Sequence, residues 1–141
     1  MKVKDVMTKS VAYVNPASTV VETAQLMQQH NVGSIPVCDQ SGVVGIITDR
    51  DIVVRSIATG KNPQQTPVTE IMTTGVATVS PEMDMREVTQ KMASSQIRRV
   101  PVVENNSLVG IVALGDVALD AKWDTEVAET LVGISKPSKP Q

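Results

Sequence analysis

An offset of 65 residues carries the first half of this chain onto the second. Met7 falls on Met72, Pro16 on Pro81, Met27 on Met92, Pro36 on Pro101, Gly45 on Gly110 and Asp51 on Asp116. Without a gap, 16 of the 50 positions in 3–52 are identical to their counterparts in 68–117. A unit this short rarely closes a hydrophobic core of its own, so each copy is expected to need its neighbour.

Each copy spells the same order of elements. "VMTKSVAYVNP" and "IMTTGVATVSP" begin as a helical turn and run into a short extended segment, since proline disfavours a helical conformation in the residue before it. Thr19-Val20-Val21-Glu22 and Asp84-Met85-Arg86-Glu87 fit an N-cap with an acid at the third helical position. The apolar stripes that follow, Val20, Ala24 and Met27, then Met85, Val88 and Met92, have the spacing of a helix with one buried face. "IPVCD" with "VVGII" and "VPVVE" with "LVGIV" read as hairpins. A second helix is expected from about Asp49 to Ala58, stopped near Gly60, with its counterpart from about Gly115. "GKNPQQTP" is a short polar linker, and "DTEVAETLVGI" predicts an extra amphipathic helix with Trp123 as an anchor near its start and "SKPSKPQ" as a frayed tail. The expected organisation is repeat 1 over 1–62, repeat 2 over 63–123 and a helical extension with a flexible tail over 124–141.

Composition narrows the function. Apolar residues make up 41% of the chain, with no Phe, one Trp and one Tyr, so the core is aliphatic. Thirteen basic residues against 15 acidic ones give a net charge of -2, which with so few aromatics argues against a nucleic-acid platform. Cys38 is the lone cysteine and reads as a small core residue of a reducing compartment. No apolar run is long enough for a bilayer and the N-terminus lacks a secretory pattern, so a cytoplasmic protein with no membrane partner is expected.

Catalytic and metal chemistry find little support. His30 is the only histidine, at the polar end of the first repeat's helix, and no serine sits in a nucleophile elbow. The glycines of "GSIPVCDQSG" make neither a phosphate loop nor a dinucleotide fingerprint. No enzyme is expected, and no metal site.

The junction "GIITDRD" and its second copy "GIVALGD" carry more content. Thr48 and Asp51 fit a capping box at the start of a helix, which would account for both without a ligand. Ala113 cannot cap, yet Asp116 persists, and two carboxylate oxygens suit a pair of sugar hydroxyls. Cap alone and cap plus ligand contact both stand for Asp51. Arg98 and Arg99 precede a strand where repeat 1 has Gly33 and Ser34. They are either solvated residues at a strand start or planar donors for phosphate oxygens.

On these stretches, with "HNVGSIPVCDQSGVVGIITDRDI" and "SQIRRVPVVENNSLVGIVALGDV" as the longest, the chain resembles a stand-alone tandem pair of the CBS-domain (cystathionine beta-synthase domain) family over about residues 1–122. The resemblance implies an α/β (α+β) fold of two beta-alpha-beta-beta-alpha repeats packed with pseudo-twofold symmetry and two clefts between them. It implies a non-catalytic regulatory module that binds an adenosine-containing ligand, AMP, ADP, ATP or S-adenosylmethionine, and requires no cofactor for chemistry. By the family pattern Asp51 and Asp116 contact ribose, Thr48 contacts ribose or phosphate, and Arg98 and Arg99 reach phosphate. The base is then expected near Thr74, Val76, Ala77 and Thr78 for the Asp51 side, and near Lys9, Val11, Ala12 and Tyr13 for the Asp116 side. The cleft with Thr48 and Asp51 is expected to bind nucleotide better. A homodimer and an unidentified protein target are the expected partners. The alternative is an assembly module with no physiological nucleotide.

Overall fold

A computed structural model describes residues 1–118 and 124–135. Trp123 and the tail from Lys136 onward lie outside the described residues. Repeat 1 forms a 3-10 turn (Val3–Asp5), helix α1 (Val20–His30), strands β1 (Ser34–Asp39) and β2 (Gly42–Thr48), a single helical turn α2 (Asp49–Asp51) and a π-helical segment (Ile52–Ile57). Repeat 2 follows with a 3-10 turn (Val68–Glu70), α3 (Met85–Ser95), β3 (Arg99–Glu104), β4 (Ser107–Ala113) and α4 (Leu114–Ala118). Helix α5 (Asp124–Ser135) is the last described element. The fold is thus two βαββα-like repeats, each with an antiparallel pair of strands, β1 with β2 and β3 with β4.

The expected caps form. Thr19 accepts the Glu22 N–H at 3.2 Å, and Asp84 accepts the Arg86 N–H at 2.8 Å. On α3 the stripe Met85, Val88 and Met92 is fully buried. On α1, Val20 and Met27 are buried with Thr23, while Ala24 is half-buried. Thr23 is tolerated in the interior because its hydroxyl donates back to the Thr19 carbonyl at 3.1 Å.

Compact packing does not follow the order of the repeats. One unit, called here the repeat-1 unit, comprises Ala12–Val76 with Asn105–Leu108. The other, the repeat-2 unit, comprises Met1–Val11, Ala77–Glu104 and the chain from Val109 onward. Each repeat therefore lends its opening segment to the other repeat's unit. Val3 has no exposed surface and lies in a core with Val79, Met85, Val88, Met92, Val100 and Val102. Val68 and Ile71 are equally buried, in the core of Val14, Val20, Ile35, Val37 and Ile47.

The exchanged segments also supply backbone acceptors to helix starts, whose first N–H groups lack intrahelical partners. In the repeat-1 unit the linker takes this role: Val20 N–H donates to the Thr66 carbonyl and Val21 N–H to that of Pro63, both at 3.0 Å. In the repeat-2 unit the Met85 N–H donates to the Met1 carbonyl at 3.0 Å.

Helix α5 packs along α3. Val127 and Ile134 rest on the repeat-2 core, and the buried Thr130 hydroxyl reaches the Glu126 and Thr89 carbonyls at 2.7 and 3.4 Å. The sequence-expected extension thus covers a helix face within its own unit.

The helix expected from Asp49 to Ala58 is not regular. Three successive β-branched residues, Ile52, Val53 and Val54, crowd an α-helical turn, and the segment winds more widely. Its bonds skip to the fifth residue, Ala58 N–H to the Val53 carbonyl at 2.9 Å and Lys61 N–H to that of Ser56 at 3.0 Å. Gly60, at φ +77°, ends it.

Candidate functional site

The strand β2 delivers Thr48 to the start of α2 and the two motif residues lock together. Thr48 Oγ1 accepts the Asp51 N–H at 3.1 Å, and Asp51 Oδ2 accepts the Thr48 N–H at 3.0 Å. Asp51 is only 9% exposed. Its other oxygen, Oδ1, faces Arg55 Nε at 3.7 Å, an ion-pair distance too long for a hydrogen bond.

The motif glycine explains how the site is framed. Ile46 and Thr73 exchange both backbone hydrogen bonds at 2.9 Å, which lays the exchanged "MTT" segment along β2. A Cβ on Gly45 would stand 2.6 Å from the Met72 sulfur and 2.9 Å from the Thr73 carbonyl oxygen. Glycine here is a requirement of close approach between two backbones. Thr74, exposed, follows directly on Thr73 and so lies in the segment paired with the strand that ends at Thr48.

The repeat-2 unit rebuilds this arrangement with one part missing. Thr8 and Ile111 exchange bonds at 2.8 and 2.9 Å, and Gly110 faces Met7 and the Thr8 carbonyl. Asp116 Oδ2 accepts the Ala113 N–H at 3.2 Å, while no hydroxyl returns the contact. The exposed Arg98 is nearby in this unit, since its carbonyl accepts the Leu114 N–H at 2.8 Å. Arg99 opens β3 half-buried, and its Nε is buried without a hydrogen-bond partner. The equivalent residue of repeat 1, Ser34, likewise holds a buried hydroxyl oxygen without one.

The structure distributes the remaining sequence candidates between units. Ala12 and Tyr13 belong to the unit of Thr48, Asp51 and Thr74, whereas Ala77 and Thr78 belong to that of Asp116, Arg98 and Arg99. Tyr13 is 60% exposed and borders a cavity of about 420 Å³ with Cys38, Asp39, Gln40, Asn106 and Ser107. That cavity lies at the hairpin turns, at the Gly42 end of β2. Thr48 is at the opposite end, about 20 Å away along a strand rising roughly 3.3 Å per residue. Tyr13, expected on the Asp116 side, thus lies at the end of β2 remote from Thr48. In the cavity wall, burial first and the Asp39 charge second push the Cys38 thiol above its ordinary pKa. Sequence reasoning missed Arg55, although its place four residues after Asp51 is the spacing of a helical ion pair.

Residues 3–57 and 68–119 each match the family model described as CBS domain. The chain belongs to the CBS-domain family. It is a tandem CBS protein, with two CBS domains in one chain, and that fold is a non-catalytic regulatory module. CBS domain-containing protein YhcV of Bacillus subtilis is 48% identical over 133 residues, covering 94% of each chain. The solved CBS domain pair of protein MJ0100, in complex with 5′-methylthioadenosine and S-adenosyl-L-methionine, is 30% identical with a TM-score of 0.74, covering 84% of this chain and 94% of that one. The hexameric CBS-CP12 protein from bloom-forming cyanobacteria is 28% identical with a TM-score of 0.75, covering 87% of this chain and 72% of that one. Among the described residues of this CBS pair, no group of three His, Cys, Asp or Glu side chains is placed to hold a metal, and no helix is long and apolar enough to cross a membrane.

Proposed function

We propose that this CBS pair is a regulatory module that senses an adenosine-containing ligand of the AMP, ADP or ATP class, with S-adenosylmethionine as a further candidate. Asp51 and Asp116 receive the ribose hydroxyls, Thr48 assists Asp51, and Arg98 and Arg99 take phosphate oxygens. Ala12, Tyr13, Thr74, Ala77 and Thr78 are the proposed neighbours of the base. The observation that carries the reading is the divided carboxylate of Asp51: Oδ2 is spent on the Thr48 N–H, while Oδ1, in a nearly buried residue, takes no hydrogen bond from its ion-pair partner. A sugar diol supplies the donors such an acceptor wants. The adenosyl ligands of the MJ0100 pair support the ligand class.

The Thr48–Asp51 site is the stronger of the two, because Ala113 offers no hydroxyl beside Asp116. Titration calorimetry with AMP, ADP and ATP on Asp51→Ala and Asp116→Ala checks this ranking. The larger loss is expected for Asp51→Ala, and equal losses reject it.

A second reading, an assembly module, is favoured by one feature. Val53, Val54 and Ile57 of the π-helical segment are 59%, 45% and 56% exposed, an apolar face suited to a homodimer. Ile57→Glu is expected to lower the mass measured by light scattering at micromolar chain; an unchanged mass removes this face from self-association. Ligand binding to the folded state must raise the melting temperature. A flat melting temperature across AMP, ADP, ATP and S-adenosylmethionine would leave assembly as the function.

A further inference from the structure

Arg55 makes two contacts that sequence order alone would not join. Its Nε lies 3.7 Å from Asp51 Oδ1, and its Nη1 donates to the backbone carbonyl of Ile71 at 3.5 Å. Ile71 has no exposed surface and belongs to the exchanged segment whose Thr73 pairs with Ile46 on β2. One guanidinium thus ties the Asp51 carboxylate to the segment that frames it.

Asp51 is 9% exposed, and the cation beside it comes from the Arg55 side chain, 44% exposed, which at 3.7 Å leaves the lone pairs of Oδ1 for another donor. Its planar fork suits two acceptors in different directions. Repeat 2 has nothing comparable in its sequence: the 65-residue offset places Asp120, an acid, where repeat 1 has Arg55.

We infer that Arg55 is a positioning residue of the Asp51 site, orienting the carboxylate with Oδ1 open to a ribose diol and tying that orientation to the Ile71 segment, without touching the ligand's phosphates. The inference rests on the reading of Asp51 as the ribose acid. It also gives the two sites a difference in sequence beyond Thr48 and Ala113, since an acid stands at the offset position where the first has Arg55.

The test is titration calorimetry in a chain carrying Asp116→Ala, so that one site reports, with adenosine, AMP, ATP and the 2′,3′-dideoxy form of AMP. Arg55→Gln is expected to weaken adenosine, AMP and ATP by one common factor of about five, and to leave the already weak dideoxy ligand unaffected. Arg55→Lys should recover part of the loss. Combined with Asp51→Asn, Arg55→Gln should add nothing further. A loss that grows from adenosine to ATP would make Arg55 a phosphate ligand and overturn the inference, as would unchanged binding of all three. Unchanged binding in Asp51→Asn would instead sink the ribose reading and this inference with it. Because Arg55 is exposed, Arg55→Gln is expected to melt like its parent, which separates lost positioning from lost fold.

Discussion

Thr48 and Asp51 bond each other twice, with N–H to Oδ2 at 3.0 Å and N–H to Oγ1 at 3.1 Å, while Ala113 and Asp116 make only the first of these contacts, at 3.2 Å. The same strand-to-helix corner thus exists in a complete and a reduced form within one molecule. Comparing them isolates what a single hydroxyl contributes to the corner.

Thr48→Ala is expected to lower unfolding free energy by about 1 kcal/mol, the usual cost of a lost cap. Ala113→Thr is expected to raise it by up to about 1 kcal/mol by the same account. Urea denaturation of both variants measures this. If neither moves the midpoint, the box is geometry without energy.

Gly45→Ala and Gly110→Ala should each cost about 1–3 kcal/mol, the range for forcing atoms into a packed site. In both cases the new Cβ would meet a backbone carbonyl oxygen, of Thr73 at 2.9 Å or Thr8 at 2.8 Å, which cannot swing aside as a side chain does. Gly115→Ala is the control. It has open space around it on α4, so the helix preference for alanine should raise stability by about 0.5–1 kcal/mol. Equal thermal shifts for all three variants would refute the packing argument.

These corners were readable from the chain because caps and strand ends are decided within a few residues. The offset of 65 exposed every such local pattern twice, and Thr19, Asp84, Met85, Val88 and Met92 take the places their spacing requires. What escaped was non-local or a matter of degree. Nothing in "VKDVM" says that Val3 is buried with Val79 and Met85 rather than with its own repeat. Nothing in "DIVVR" says that Arg55 reaches the Ile71 carbonyl, because that contact requires the exchange of segments. That Tyr13 borders a cavity at the Gly42 end of β2 is likewise a matter of how distant segments pack, which motif matching does not show.

Glu82 receives Lys2 Nζ at 2.7 Å and Lys4 Nζ at 3.0 Å, pinning the opening segment to the repeat-2 unit. The hydrogen bonds from Lys2 and Lys4 hold the Glu82 carboxyl below its ordinary pKa, and Glu82 in turn raises Lys2. The stabilisation from Glu82 is therefore present above the ordinary glutamate pKa and lost as pH falls through the lowered value. That from Lys2 persists until pH rises through its raised value. The difference in melting temperature between the parent and Glu82→Gln should be present at neutral pH, shrink in about 1 M salt and vanish once pH has fallen below the lowered value of Glu82. A difference independent of both pH and salt would show that charge is not what the pair contributes.

Cys38 should react with a thiol reagent more slowly at neutral pH than free cysteine, because burial and Asp39 favour the neutral thiol. The folded state gains from that preference fully below the ordinary thiol pKa and loses it as pH rises through the raised value. Following the rate against pH in the parent and in Asp39→Asn measures the position, and the substitution should move it modestly downward. A rate matching free cysteine at every pH would contradict the burial of the thiol.

The exchange of opening segments has a consequence for how the molecule is made. Residues 1–11 leave the ribosome before both repeats that follow them, yet Thr8 pairs with Ile111, about a hundred residues later. Until the second repeat is made Val3 has no core to enter, so a segment made before it is among the last to find its place. Non-local closure of this kind slows folding and prolongs the time in which apolar segments are exposed. A defect at Val3 would consequently surface as an unstable second repeat.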